Sequence, residues 1–358
     1  MAGWAVWSGT LAGVRLWCAA RDGLALPDAF SMTKDILIIK LGALGDLFQS
    51  EGALHDIRLH HPTARITLLT GPAYRKLMER CPWIDAVETD PRAPRWRLDR
   101  MLDLRRRLTA KPYSIVYDLQ NVSRTAFYRR WFLPRTSWSG TAPGCSHPHR
   151  AANPKRIPSL ERLAGQLSDA GVPVNHTFQP DLAWVADDVS EILGQAGVAA
   201  PYVVLLPGSS ARLPHKRWPG YAALAERLIA RGVRVVTVPG PEELDLCRTI
   251  PGAMLTGTGV AGTATAGTAT IGGRWLNFFQ LAGVLAGARL AVGNDSGPTH
   301  LSAHLGRPTV ALFGSHMAAR LTGIDRPNVT CLEVPDLKDL DVDRVDAVVR
   351  DRLSRIGP

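Results

Sequence analysis

Residues 290–314 read LAVGNDSGPTHLSAHLGRPTVALFG. Arg289–Val292 reads as a buried strand, Pro298–His304 as a short helix and Thr309–Phe313 as a second buried strand. Strand, helix and strand in so short a span make a parallel βαβ unit. The turn Gly293–Gly297 then lies where a strand ends and a helix begins. Unpaired backbone N–H groups and the positive end of the helix dipole gather there, an arrangement that holds an anion.

The same alternation extends outward in both directions. Asp35–Leu41 is a continuous apolar strand broken only by Lys40, followed by a Gly42–Asp46 turn and a helix over Leu47–His60. Strands at Ile66–Leu69, Ala86–Val87 and Ser114–Tyr117 follow, with helices at Tyr74–Cys81 and Arg97–Leu108. The Pro-, Gly-, Ser- and His-rich stretch Arg135–Pro158 reads as a long loop, and Leu160–Ala170 as a helix. Val172–Asp188 reads as a linker. A second set opens with the strand Tyr202–Leu206 and continues with a helix around Tyr221–Ile229, the strand Val233–Val238 and helices Glu242–Arg248 and Leu276–Ala286. Val342, Val345, Val349, Leu353 and Ile356 form the stripe of a final amphipathic helix. The expected fold class is α/β, with two Rossmann-like domains facing a cleft. The expected division is a leader at 1–33, a first domain at 34–175, a second at 176–335 and a final helix segment at 336–358. The low-complexity run GTGVAGTATAGTATIGG at 257–273 reads as a flexible insertion in the second domain, because no strand feeds it and no Lys-Ser/Thr follows its glycines.

The charge is unevenly spread. The 358 residues carry a formal net charge of +10, and Lys34–Asn175 holds 23 Lys and Arg against 13 Asp and Glu, whereas His176–Pro358 holds 17 of each. A basic first half suits an anionic partner or a solvated face. The five scattered cysteines form no CxxC pair, which fits a reducing cytoplasm and excludes a cysteine zinc motif. The pair His300/His304 has i,i+4 spacing but no accompanying HExxH acid, so no metal is expected. No stretch is apolar enough to span a membrane. Trp4, Trp7, Leu11, Val14 and Cys18 would share a helix face that Gly3, Gly9 and Gly13 weaken. The leader is expected to be disordered, interfacial, or sequence ahead of a start at Met32.

Four loops fall at the carboxyl ends of strands, where ligands bind in such sheets. In the first, Gly42 and Gly45 permit a tight turn and close approach, and Asp46 stands at a helix N-terminus. Asp46 reads either as a helix cap or as a general base. In the second, Ser209, Ser210 and Lys216 offer donors to phosphate or form a polar surface loop. In the third, Glu242 suits two ribose hydroxyls or the first turn of a helix. In the fourth, Asp295, Ser296, Gly297 and His300 offer groups to a sugar and a diphosphate.

Taken in order, ILIIKLGALGD, LLPGSSARLPHKRWP, VPGPEE and VGNDSGPTHLSAHLGRPTVALFG resemble the motifs of family 9 glycosyltransferases, the lipopolysaccharide heptosyltransferase family, over about residues 35–330. The resemblance implies a two-domain GT-B fold whose final helix, at 336–358, packs back on the first domain. It implies transfer of a sugar, typically L-glycero-D-manno-heptose from an ADP-sugar, to a lipid-linked inner core, with inversion and without a metal or cofactor. By this resemblance Asp46 matches the proposed catalytic base. Ser209, Ser210 and Lys216 match the phosphate-binding loop, Glu242 the acid that contacts the nucleoside, and Asp295, Ser296, Gly297 and His300 the segment holding diphosphate and sugar. The implied partners are a nucleotide-sugar donor, an anionic glycolipid acceptor and the cytoplasmic face of the inner membrane, with no nucleic acid. Two features depart from the family: Ser315-His316-Met317 stands where a Thr/Pro-rich turn with an acid is common, and the Gly/Ala/Thr insertion is atypical. The alternatives are a nucleotide-sugar epimerase of the same architecture and a non-catalytic nucleotide-sugar or glycolipid binding protein.

Overall fold

Strand β1 (Asp35–Ile39) is covered on both faces. Ile36 and Ile38 join one apolar layer with Leu47, Phe48, Leu54 and Ile57. Leu37 and Ile39 join another with Met101, Leu104, Leu108 and Tyr128. A strand sandwiched in this way needs no polar face, which is why its sequence is a continuous apolar run. The computed structural model describes residues 34–150, 156–209, 213–240, 242–256 and 275–356. The expected leader, Ser210 and the 257–273 insertion lie outside the described residues.

Around β1 the first sheet contains β2 (Arg65–Thr70), β3 (Ala86–Thr89), β4 (Tyr113–Asp118), β5 (Ser137–Gly140) and β6 (His147–Pro148), in the order β3-β2-β1-β4-β5-β6. Its helices are α1 (Leu44–His60), α2 (Arg75–Met78), α3 (Leu98–Leu108), α4 (Ser123–Trp131) and α5 (Ser159–Asp169). After α6 (Ser190–Gln195), the second sheet is built from β7 (Tyr202–Leu206), β8 (Arg234–Thr237), β9 (Ala253–Met254), β10 (Leu290–Asn294), β11 (Thr309–Phe313) and β12 (Val329–Glu333). Its order is β12-β11-β10-β7-β8-β9. Helices α7 (Tyr221–Ala230), α8 (Leu244–Arg248), α9 (Phe278–Ala286), α10 (Gly297–His304) and α11 (Val342–Arg355) accompany it. All pairings are parallel. Counted within each lobe, both sheets have the 3-2-1-4-5-6 order of a doubly wound Rossmann sheet. The order reverses between β1 and β4 in one lobe and between β7 and β10 in the other. Ligand crevices belong at those two points.

Two expectations are corrected. The stretch expected as a long loop at Arg135–Pro158 contains β5 and β6, which extend the sheet edge, and Trp138 is fully buried there. The final helix does not return to the first lobe. Val345 and Val349 enter the apolar core of the second lobe, and Arg227 and Arg231 of α7 pair with Asp343 and Asp346.

The segment read as a linker is strapped along α1. Asp56, buried on α1, accepts the backbone N–H groups of Asn175 (3.1 Å), His176 (2.9 Å) and Thr177 (2.9 Å) and the Thr177 hydroxyl (2.7 Å). Glu51, a turn earlier, accepts Asp181 N at 2.7 Å and Trp83 Nε1 at 2.5 Å. Val172, Leu182 and Val185 share one core with residues of both sheets. Asp56→Ala leaves three N–H groups without their acceptor. Urea unfolding should show a loss of about 3 kcal/mol, the scale of such groups left unsatisfied; an unchanged midpoint would show that the strap adds nothing.

Candidate functional site

The loops at the two sheet crevices meet across the lobes. α1 begins just past β1 and α10 just past β10. The first turns of the two helices touch. A Cβ on Gly45 would stand 3.4 Å from the His300 ring, and one on Gly297 would stand 3.1 Å from the Leu44 side chain. Gly42, at φ +103°, makes the turn out of β1. Glycine at these positions therefore allows two helix N-termini to converge.

Asp46 occupies the first turn of α1, and its Oδ2 accepts Ala43 N at 3.1 Å. The capping reading thus holds in part, with the N-cap position itself taken by Ala43. The same carboxylate lines two cavities of about 500 Å³. One lies at the first lobe's crevice, with Lys40, Gln49, Gln120, Asn121, His149 and Arg162. The other spans the lobes, with Lys216, Asp295, Ser296, His300 and His316. Burial lowers the pKa of Lys40 from its ordinary value, opposed by the charge of Asp46. The Lys40 ammonium donates to Leu119 O at 3.2 Å. Burial pushes Asp118 up to about 6, although it accepts N–H groups from Gln120 and Asn121 and so shapes the loop after β4.

Asp295 is the centre of the second lobe's contribution. Lys216 Nζ donates to it at 2.7 Å, His316 Nε2 at 2.9 Å and His300 Nε2 at 3.2 Å. Burial opposes its charge, but hydrogen bonds from His300, Lys216 and His316 outweigh that and hold the carboxyl well below the usual carboxylate range. Gln49 Oε1 accepts the Ser159 hydroxyl at 2.6 Å, which turns Gln49 Nε2 toward His300 Nδ1 at 3.4 Å. His300 then carries its proton on Nε2 and presents it to Asp295. A polar chain thus runs Ser159–Gln49–His300–Asp295–Lys216 across the lobes.

A third cavity of about 550 Å³ lies on the second lobe. Gly208, Ser209, Lys216, Gly240, Glu242, Glu243, Asp295, Ser296 and Gly297 are among its lining residues. Ser296 occupies the N-cap position of α10, and its hydroxyl meets Thr299 Oγ1 at 3.2 Å. The Ser209 hydroxyl is engaged by Leu213 O at 3.3 Å and so fixes its own loop. Glu242 is exposed at the rim. Its neighbour Glu243 is the tucked acid, accepting Gly240 N at 2.9 Å, with its pKa raised by burial.

Sequence reasoning missed Gln49, Glu243, Asn294 and His316. Asn294 is fully buried at the end of β10. It accepts Trp218 N and Tyr221 OH, both at 3.1 Å, and donates to Pro207 O at 2.8 Å, locking the loop that carries Lys216. His316, noted only as a departure, has its Nδ1 buried without a partner among the described residues. His304, a turn after His300, is buried with its pKa well down, and Arg326 donates to its Nδ1 at 3.0 Å. Among the described residues, no group of three or more His, Cys, Asp or Glu side chains converges as a metal site.

The sequence and the fold match a known family. Residues 101–346 match glycosyltransferase family 9 (heptosyltransferase). The chain belongs to this family. It is therefore a glycosyltransferase of the GT-B fold. It is 26% identical over 294 residues to lipopolysaccharide heptosyltransferase 2 of Escherichia coli K12, covering 78% of this chain and 82% of that relative. A solved family 9 glycosyl transferase from Veillonella parvula superposes with a TM-score of 0.72 at 20% identity, covering 90% of this chain and 97% of the other. The solved E. coli ADP-heptose LPS heptosyltransferase II superposes with a TM-score of 0.68 at 20% identity, covering 90% and 100%.

Asp295→Asn should cost about 3 kcal/mol in urea unfolding at neutral pH, because it removes the counter-charge of a largely buried pair. A carboxylate with a depressed folded pKa contributes fully above its unfolded value of about 3.9 and loses that contribution as pH falls below it. The gap between wild type and variant should thus hold from about pH 5 to 8 and shrink below about pH 4. A gap that grows toward acid would contradict this assignment.

Proposed function

We propose that this glycosyltransferase moves a heptose from ADP-heptose to an anionic, lipopolysaccharide core-type glycolipid, in one inverting displacement without a metal. The names of the E. coli relatives support the sugar and the nucleotide. The observation that carries the chemistry is that Asp46 lines both the first lobe's cavity and the cavity between the lobes. A hydroxyl held in the first, against Lys40, Arg162 and His149, reaches a donor held in the second. Asp46 takes the hydroxyl proton as its oxygen attacks the anomeric carbon from the side opposite the diphosphate. The bond from that carbon to the diphosphate breaks, and ADP leaves with the electron pair.

Lys216 and the N–H groups at the start of α10 offset the charge that grows on the diphosphate, while His300 and His316 fix the position of Asp295. Asp295 holds those cationic and donor groups in place beforehand. Ser209, and by the family motif Ser210, belong to the loop on which the diphosphate rests, and Glu242 or the tucked Glu243 faces the nucleoside. The acceptor's lipid anchor puts the reaction at the cytoplasmic face of the inner membrane. Among the described residues no helix is long and apolar enough to cross a membrane, so attachment is peripheral in this reading. An epimerase acts on the donor alone and has no use for the acceptor-side cavity that Asp46 lines.

Asp46→Ala should lower turnover of ADP-heptose on a core-type acceptor by about 10²-fold or more. The rise in melting temperature produced by ADP should remain, since binding to the folded state alone drives it. Near-normal turnover would remove Asp46 from the mechanism. Product formed from ADP-heptose without any acceptor would favour the epimerase.

A further inference from the structure

The outer surface of α3 and α4 combines exposed apolar side chains with arginines that have no acidic partner among the described residues. Both helices pack on the same face of the first sheet, through Met101, Leu104, Leu108, Tyr128 and Phe132. On the opposite side, Trp96, Leu98, Leu102 and Trp131 stand 78%, 69%, 61% and 57% exposed. Arg95 joins the two helices: its Nη2 donates to Ser123 Oγ at 3.2 Å, and its guanidinium lies 5.3 Å from the centre of the Phe127 ring. The Phe127 ring is 6.4 Å from that of Trp131, over which Arg130 is stacked at 5.3 Å. These contacts run from Arg95, beside Trp96 in the chain, to Trp131, and Leu98 and Leu102 follow one helical turn apart on α3.

That surface is strongly basic. Residues 92–135 hold twelve Lys and Arg against three acids. Asp99 and Asp103 are taken by Arg97, Arg100, Arg106 and Arg107, and Asp118 is buried inside the lobe. Arg95, Arg105, Arg130 and Arg135 have no acidic partner among the described residues. The surface also adjoins the site, since Arg92 Nη2 donates to Leu41 O at 2.6 Å in the loop that leads to Asp46.

Resting on the reading that the acceptor is carried by a membrane lipid, we propose that this surface docks the enzyme on an anionic bilayer. Trp96 and Trp131 lie at headgroup depth, Leu98 and Leu102 dip below them, and the free arginines meet lipid phosphates. Tryptophan favours the membrane–water boundary. Each arginine near an anionic surface strengthens partitioning roughly fivefold. Aliphatic side chains such as Leu98 and Leu102 gain nothing on a nucleic acid, which is why the bilayer is the better partner for this face.

The test is co-sedimentation of the full chain with vesicles of phosphatidylcholine alone and with about 30% phosphatidylglycerol. Wild type is expected to bind the anionic vesicles at least tenfold more tightly and to release at high salt. The double variants Trp96→Ala/Leu102→Ser and Arg105→Glu/Arg130→Glu are each expected to lose about tenfold or more of that binding. Both should keep the ADP-induced rise in melting temperature, which shows that they fold. Vesicle binding equal in wild type and both variants, or absent in wild type, overturns the proposal. So does preferential binding of this face to an oligonucleotide, or a dimer that hides Trp96 and Trp131. Patch-dependent vesicle binding without any turnover of ADP-heptose would leave the docking surface standing and overturn the donor reading instead, so the two failures are told apart.

Discussion

The contact between the first turns of α1 and α10 is the constraint from which the site follows. Two helix N-termini carry like partial charges and unpaired N–H groups, so bringing them together is unfavourable unless something negative lies nearby. Gly45 and Gly297 permit the approach by presenting no side chain at the crossing. Asp46 and Asp295 then supply fixed negative charge, one at each helix start. The space in front of them is lined by Lys216, His300 and His316, and suits a ligand bearing both hydroxyls and phosphates.

Asp295 and Asp46 are alike as side chains and unlike in surroundings. Asp295 is held by three donors and is ionised at any pH near neutral; it organises its neighbours and has no spare capacity as a base. Asp46 has one backbone N–H partner at 3.1 Å and faces two cavities, which leaves lone pairs for an incoming hydroxyl. In the proposed mechanism the separate roles of the two acids follow from the number of donors each satisfies, which the fold arranges in advance.

The strands β1, β7, β10 and β11 were legible in the sequence because each is buried on both faces and reads as an uninterrupted apolar run. β5 and β6 were not, because Ser-Trp-Ser-Gly and His-Pro are short edge segments without a run or a period. Helix α4 escaped notice for a related reason: its N-cap is Val122, its arginines and aromatics mix both sides, and only Thr125 and Tyr128 of its residues are buried. The stripe on α11 announced that something covers it and could not say what. At the site, Asp46 and Asp295 were visible from their place after strands. Gln49 and His316 were not, since the first meets His300 from 251 positions away and the second reaches Asp295 from the next loop. A local pattern marks where a ligand lies; the partners that orient its residues are assembled only by the fold.

The strap along α1 has a mechanical consequence. Glu51 and Asp56 grip the chain between residues 175 and 181, and one apolar core runs through both sheets, so any opening of the lobes would have to expose part of that core. The short loops at the strand tips stand outside that core, so their residues can be exchanged with little cost to it, which makes each rim a separate place to alter what the crevices accept.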